Sequence, residues 1–213
     1  MKYKLYFAIP EQKSVPVNGK ITIEFNLDAP QEIILDFREK PEKIKSVSVN
    51  GQTSHYDFRN EHIILPKNNI IKGKNDITIQ FIAGNQSLNR NDEFLYTLLV
   101  PDRARTLFPC FEQPNLKATF TLQLDVPTEW KAVSNTYITK EEIKSTGKTV
   151  TFAPTEPLST YLFSFVSGRI ISFPSFSIRF IKLSKWSVIP STKKAFFFLP
   201  LTYTFIPPRF LLQ

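Results

Sequence analysis

Along the chain before residue 168, apolar and polar positions alternate with a period of two. Tyr3, Leu5, Phe7 and Ile9 alternate with more polar neighbours, and Ile21, Ile23, Phe25 and Leu27 do so with Thr22, Glu24 and Asn26 between them. The same spacing recurs at Ile33, Leu35 and Phe37, at Ile77, Ile79 and Phe81, and at Phe120, Leu122, Leu124 and Val126. Successive side chains of a strand point to opposite faces, so each run predicts a strand with one face in a core and the other in water. Half-wet strands of this kind pair antiparallel. No stretch before Arg169 keeps a helical repeat over the length that a helix needs.

Turn signals punctuate these runs. Asn50-Gly51 lies between Lys45–Val49 and Thr53–Asp57, and Asn-Gly is the favoured pair of a type I′ hairpin. Thr146-Gly147 separates Glu141–Lys144 from Thr149–Phe152 and predicts a second hairpin, while Asn18-Gly19 and Lys72-Gly73 read as turns ahead of strands. Sixteen prolines against six glycines favour short elements with many turns. Residues 1–168 are therefore expected to form one all-β domain, an antiparallel two-sheet sandwich of about ten strands.

Residues 169–213 differ in kind. They contain seven of the 27 basic residues and eight of the 20 phenylalanines, with no Asp, Glu, Asn or Gly. Nearly all of the net charge of +8 thus belongs to this segment, since the first 168 residues set 20 basic side chains against all 19 acidic ones. A near-neutral body argues against a nucleic-acid partner. The apolar run Ala195–Ile206 is interrupted by Pro200 and is too short for a membrane helix, which needs about 20 residues. The single cysteine, Cys110, excludes an intrachain disulfide, and Met1–Pro10 lacks the apolar core of a signal peptide. The default compartment is cytoplasmic, with a leader upstream of Met1 left open.

The informative stretch runs from Val100 to Phe120. Pro109 and Pro114 hold Phe108 and Gln113 extended, two aromatics flank a Pro-Cys pair, and Asn115 is suited to a local turn before the strand. Chemistry alone reads this as an ordered loop feeding a strand. The run Ala104-Arg105-x-x-Phe108-Pro109-Cys110-Phe111-Glu112-Gln113-Pro114, followed by Leu116-Lys117-Ala118-x-Phe120, resembles the hallmark of the N-terminal domain of the aminopeptidase N family of zinc metallopeptidases. The family writes Asp-Glu where this chain has Glu112-Gln113. Val126-Pro127 with Ala132–Asn135, and Leu158–Gly168, resemble the flanking family segments.

The resemblance implies a saddle-like β domain packed against a thermolysin-like catalytic domain, with the hallmark loop facing the active site. The zinc ligands and general base of that family sit on a His-Glu-x-x-His helix, beside a Gly-x-Met-Glu-Asn loop. Neither motif occurs in this chain, whose only histidines are His55 and His62. No catalytic or metal residue is assigned, and zinc is a cofactor only of the full-length family. Relatives also hold the substrate's free amino group with an acid or amide placed just before the hallmark; the matching positions here are Leu98 and Val100, so no substrate-binding residue is assigned.

Cys110 reads as buried structure rather than as a nucleophile, and Arg103 and Arg105 as braces paired with carboxylates. Phe108, Phe111 and Val100 are expected to sit partly exposed, on a surface made for a catalytic domain. Peptide substrates would belong only to an intact protein. The abrupt change after Gly168 is what a frameshift or premature end would produce; the alternative is a free-standing β-sandwich module that binds a protein or peptide.

Overall fold

The structure, a computed structural model, describes residues 1–169 and, beyond them, the backbone of Phe197–Phe198 and Thr204–Phe205. In chain order the strands of the first unit begin with β1 (Lys2–Ala8), β2 (Asn18–Leu27), β3 (Ile33–Asp36), β4 (Ile44–Val49), β5 (Gln52–Thr53), β6 (Asp57–Arg59), β7 (His62–Leu65) and β8 (Gly73–Ile82). They continue with β9 (Leu88–Arg90), β10 (Phe94–Thr97), β11 (Thr119–Val126), β12 (Lys131–Ser134), β13 (Ile138–Lys144), β14 (Gly147–Phe152) and β15 (Phe165–Gly168).

Eight strands build the largest sheet, in the order β13-β14-β11-β1-β2-β8-β4-β5. Its longest ladder joins β2 to β8, from Asn18 opposite Ile82 to Leu27 opposite Gly73. The strict alternation of Ile21, Ile23, Ile77 and Ile79 puts all four side chains on the same buried face. A second sheet runs β12-β15-β10-β9 and a third β3-β7-β6. The pairings are antiparallel with one exception among the described strands: β1 lies parallel to β11, Tyr3 beside Phe120. Parallel neighbours need a long crossover, and everything from β2 to the hallmark loop supplies it.

Aromatic rings bind the layers. Phe7 on β1 meets Phe165 on β15 at 5.2 Å between ring centres and Phe81 on β8 at 6.1 Å. Tyr3 stacks on Phe120 at 4.8 Å, and Phe120 on Phe163 at 5.0 Å. The core is therefore continuous from the large sheet into the four-stranded one, and Trp130 lies buried within it.

Asn50 and Gly51 both take positive φ, 52° and 78°, as the type I′ turn demands, although β5 is shorter than the run Thr53–Asp57. The second hairpin forms one residue earlier than its sequence signal. Ser145-Thr146 make the turn, and Gly147 opens β14 because a Cβ there would lie 2.5 Å from the Val126 carbonyl oxygen. Gly19 is not a turn residue but lies inside β2 under the Phe81 ring, where a Cβ would approach within 2.5 Å. A further two-residue turn, Asn60-Glu61, joins β6 to β7 with both residues at positive φ.

The second compact unit spans Ile171–Gln213; within it Phe197–Phe198 pairs antiparallel with Thr204–Phe205. The expectations for the basic, Phe-rich segment fall outside the described residues. Among the described residues no helix is long and apolar enough to cross a membrane.

Candidate functional site

The hallmark segment begins where β10 ends. Thr97 and Leu99 turn inward, while Leu98 and Val100 point outward with 39% and 36% of their surface exposed. After Pro101 the chain makes a single 3-10 turn, Ala104–Thr106, whose buried Ala104 and Thr106 anchor it to the core. Thr106 shares a hydroxyl hydrogen bond of 2.7 Å with buried Ser87. The main chain is then stitched to two neighbours. Arg38 N–H donates to the Arg105 carbonyl at 2.8 Å, and Gly84 N–H to the Leu107 carbonyl at 3.2 Å. The approach at Gly84 is so close that a Cβ would meet the Thr106 carbonyl oxygen at 1.8 Å.

Phe108, Pro109 and Cys110 are buried, and Cys110 exchanges both backbone hydrogen bonds with Asp36 of β3, at 2.8 and 3.0 Å. The expectation that Phe108 sits partly exposed is corrected here: it has no exposed surface and packs edge-on against Phe163 and Phe7. The bridge to β3 pulls the segment inward, and Phe108 fills the space between the sheets. Phe111 is partly buried, edge-on to Phe25. Gln113 and Pro114 are exposed; the Pro114 carbonyl accepts from Ser159 Oγ at 2.6 Å.

The electrostatic centre is Glu112. Its carboxylate accepts from Arg105 N–H at 2.6 Å and Thr160 Oγ1–H at 2.8 Å, with the Cys110 thiol at 3.7 Å. Its own N–H donates to Asp36 Oδ2 at 3.0 Å, and Phe111 N–H donates to the Tyr3 hydroxyl at 3.0 Å. Burial pushes the Glu112 carboxyl above its ordinary range, against the opposing pull of the bonds from Arg105, Thr160 and Cys110. Burial, then the Glu112 and Asp36 carboxylates, push the Cys110 thiol well up, so it is protonated and inert at neutral pH. Tyr3 is likewise raised by burial and by Cys110.

The expected bracing is found for Arg105, which pairs with Asp102 at 3.1 Å, but not for Arg103, whose side chain is exposed and meets no carboxylate among the described residues. Its main chain carries the structural role instead, donating to Leu99 and accepting from Thr106. His62 Nδ1 lies 3.0 Å from Asp36 Oδ1 without making a hydrogen bond to it. His55 is exposed beside Asp57. No group of three or more His, Cys, Asp or Glu among the described residues is placed to hold a metal ion. The site is thus a rigid polar clasp with an apolar outer rim at Leu98 and Val100. Tyr3, Asp36 and Thr160 belong to it although they are remote in sequence; the one signal for them was Tyr3, a buried position whose hydroxyl needs a partner.

The sequence profile of the Peptidase M1 N-terminal domain matches residues 1–162, and the chain belongs to that family. Glutamyl aminopeptidase of Sus scrofa is 46% identical over 66 residues, covering 30% of this chain and 7% of that protein. The mitochondrial aminopeptidase 2 of Saccharomyces cerevisiae is 26% identical over 182 residues, covering 76% of this chain and 19% of that one. The chain therefore spans less than a fifth of the length of these relatives. The fold is that of the M1 zinc metallopeptidase from Deinococcus radiodurans, with a TM-score of 0.67 at 20% identity over 79% of this chain and 41% of that one.

Proposed function

We propose that this chain is the N-terminal domain of a zinc aminopeptidase that removes N-terminal residues from peptides, and that its role is to brace and wall a separate catalytic domain. The observation that carries this reading is the family match across residues 1–162, on a chain that contains no His-Glu-x-x-His motif. The clasp around Glu112 suits a scaffold rather than a reaction centre: its thiol and carboxyl are protonated or fully hydrogen-bonded, and nothing in it presents an activated nucleophile. Leu98 and Val100 are the outward apolar residues beside the hallmark, and apolar groups of this kind gain from cover by a partner. Their apolar character also distinguishes this chain from relatives that hold a substrate ammonium there.

The test is co-expression of the chain with the catalytic domain of the yeast relative deprived of its own N-terminal domain. The pair should co-purify and release the chromophore from an aminoacyl anilide, whereas the chain alone should be silent. The double variant Leu98→Lys, Val100→Lys should fold but lose the partner. Activity of the chain alone, or co-purification unaffected by the double variant, would overturn the proposal.

A further inference from the structure

A depression of about 480 Å³ lies at the edge of the four-stranded sheet, a volume in the range of small-ligand sites. Its wall includes Lys13, Asn85, Asn89, Arg90, Phe94 and Tyr96, with buried Leu88 beneath. Nothing in the hallmark clasp uses it. Its residue Tyr96 lies two positions before Leu98, so the depression adjoins the rim assigned above to a catalytic domain without including Leu98 or Val100.

We propose that this depression binds an oxyanion, a carboxylate or phosphate ester, carried on a planar body. The argument rests on which polar groups are already engaged. Arg90 Nη2 donates to the Gln12 and Val15 carbonyls at 2.6 and 3.0 Å, which fixes the plane of the guanidinium. A guanidinium has five N–H donors, so Nη1 and Nε remain unpaired among the described residues. Asn91 Oδ1 already accepts from Glu93 and Phe94 N–H at 2.9 and 2.8 Å, leaving its NH₂ group to be offered. Lys13 Nζ and the Asn89 amide have no partner among the described residues. The Asp92 carboxylate accepts from Lys13 N–H at 2.6 Å and makes no ion-pair contact with Arg90, although its charge acts on the guanidinium. Two cationic side chains, Arg90 and Lys13, thus line the depression beside amide groups that can donate as well as accept. A held guanidinium beside a lysine matches the fork and charge of an oxyanion.

The planar body follows from the other wall. The rings of Phe94 and Tyr96 lie 20° from parallel with centres 6.3 Å apart, and Phe94 is 43% exposed. An exposed ring face next to N–H donors suits a flat group carrying the anion at its rim.

The experiment is calorimetric titration of the full chain with phenyl phosphate, benzoate, inorganic phosphate and phenol. Phenyl phosphate or benzoate should saturate, with affinity falling as salt rises; which of the two binds tighter identifies the anion. Lys13→Gln and Asn89→Leu alter exposed side chains without structural bonds, so both variants should keep their unfolding midpoint, and Lys13→Gln should weaken binding about tenfold. Phenol binding as tightly as phenyl phosphate would reduce the site to an apolar patch and overturn the proposal. So would the absence of saturation by about 10 mM of either aryl anion, or affinity unchanged in both variants. Inorganic phosphate matching phenyl phosphate would overturn the planar body.

Discussion

The carboxylate of Glu112 accepts from three places at once: the 3-10 turn at Arg105, the hallmark thiol at Cys110 and the later turn at Thr160. Each donor left without an acceptor in a buried place costs about 1–3 kcal/mol. Glu112→Gln should therefore destabilise by about that much, because the amide NH₂ must face one of those donors. Its more telling effect is on pH dependence. Burial raises the Glu112 carboxyl in the folded chain, so between the ordinary carboxylate range and that raised value the folded state keeps a proton that the unfolded state has released. Stability from this group is complete below the ordinary range and is lost as pH rises through the raised value. Urea unfolding of both proteins from about pH 4 to about pH 8 should give a shallower decline for the Gln variant; parallel curves would remove Glu112 from the clasp's electrostatics. The family's Asp-Glu at this point is Glu112-Gln113 here, and the structure accounts for only the first of the two: Glu112 is tied in, while Gln113 is exposed.

At the scale of elements, the longest alternations were the most legible. The runs at Tyr3–Ile9, Ile21–Leu27, Ile33–Phe37, Ile77–Phe81 and Phe120–Val126 coincide with β1, β2, β3, β8 and β11 to within a few residues. The four-stranded sheet was not legible, because its inner positions include Thr97, Ser134 and Ser167, which satisfy themselves locally. Ser134 Oγ donates to the Ser164 carbonyl, Ser167 Oγ to Lys131, and Phe165 N–H to Thr97 Oγ1. Polar residues that bury in this way erase the period-two signal. The parallel contact of β1 with β11 was hidden for another reason: turn residues report only neighbours in sequence. Asn60-Glu61 was missed because a glutamate at positive φ carries no turn signature. The edge of the large sheet is closed by one side chain. Asp125 on β11 accepts from Tyr6 of β1 at 2.8 Å, Thr149 of β14 at 2.6 Å and Lys144 of β13 at 3.1 Å. Partial burial works to raise its carboxyl, but these bonds win and hold it below the ordinary range, while burial and the bond to Asp125 push Tyr6 up to about 12. A depressed carboxyl adds stability above its ordinary range and loses it as pH falls through the depressed value. Asp125→Asn should cost about 1–3 kcal/mol at neutral pH and flatten the acid limb of the stability curve, as read by urea midpoints from about pH 2 to about pH 7. An acid limb as steep as the parent's would contradict the clamp.

For the whole molecule, the core among the described residues extends from Tyr3 to Phe165 and draws on all three sheets of the first unit. That unit has what a domain needs to fold alone: a continuous aromatic centre, ladders up to ten residues long, and a hallmark segment tied to β3 rather than left as a loop. Its surface keeps large apolar side chains in water, with Leu98 and Val100 at the hallmark rim and Ile143 81% exposed on the edge strand β13. The lysines and glutamates of β13 discourage edge-to-edge pairing, so association should arise chiefly from the rim and from the composition of residues 169–213. That segment adds seven basic residues and eight phenylalanines with no acidic residue, and single-sign, aromatic-rich sequence favours non-specific association. A chain ending at residue 169 should therefore be more soluble than the full chain and should unfold in one cooperative step. The measurement is soluble yield together with thermal and urea unfolding of both lengths. Equal midpoints and an equal urea slope, which tracks the surface exposed on unfolding, would place all of the cooperative structure before residue 170. A shortened chain that loses its sharp transition while the full chain keeps one would instead make residues 170–213 part of the folding unit, and the boundary read from the change in composition would fall.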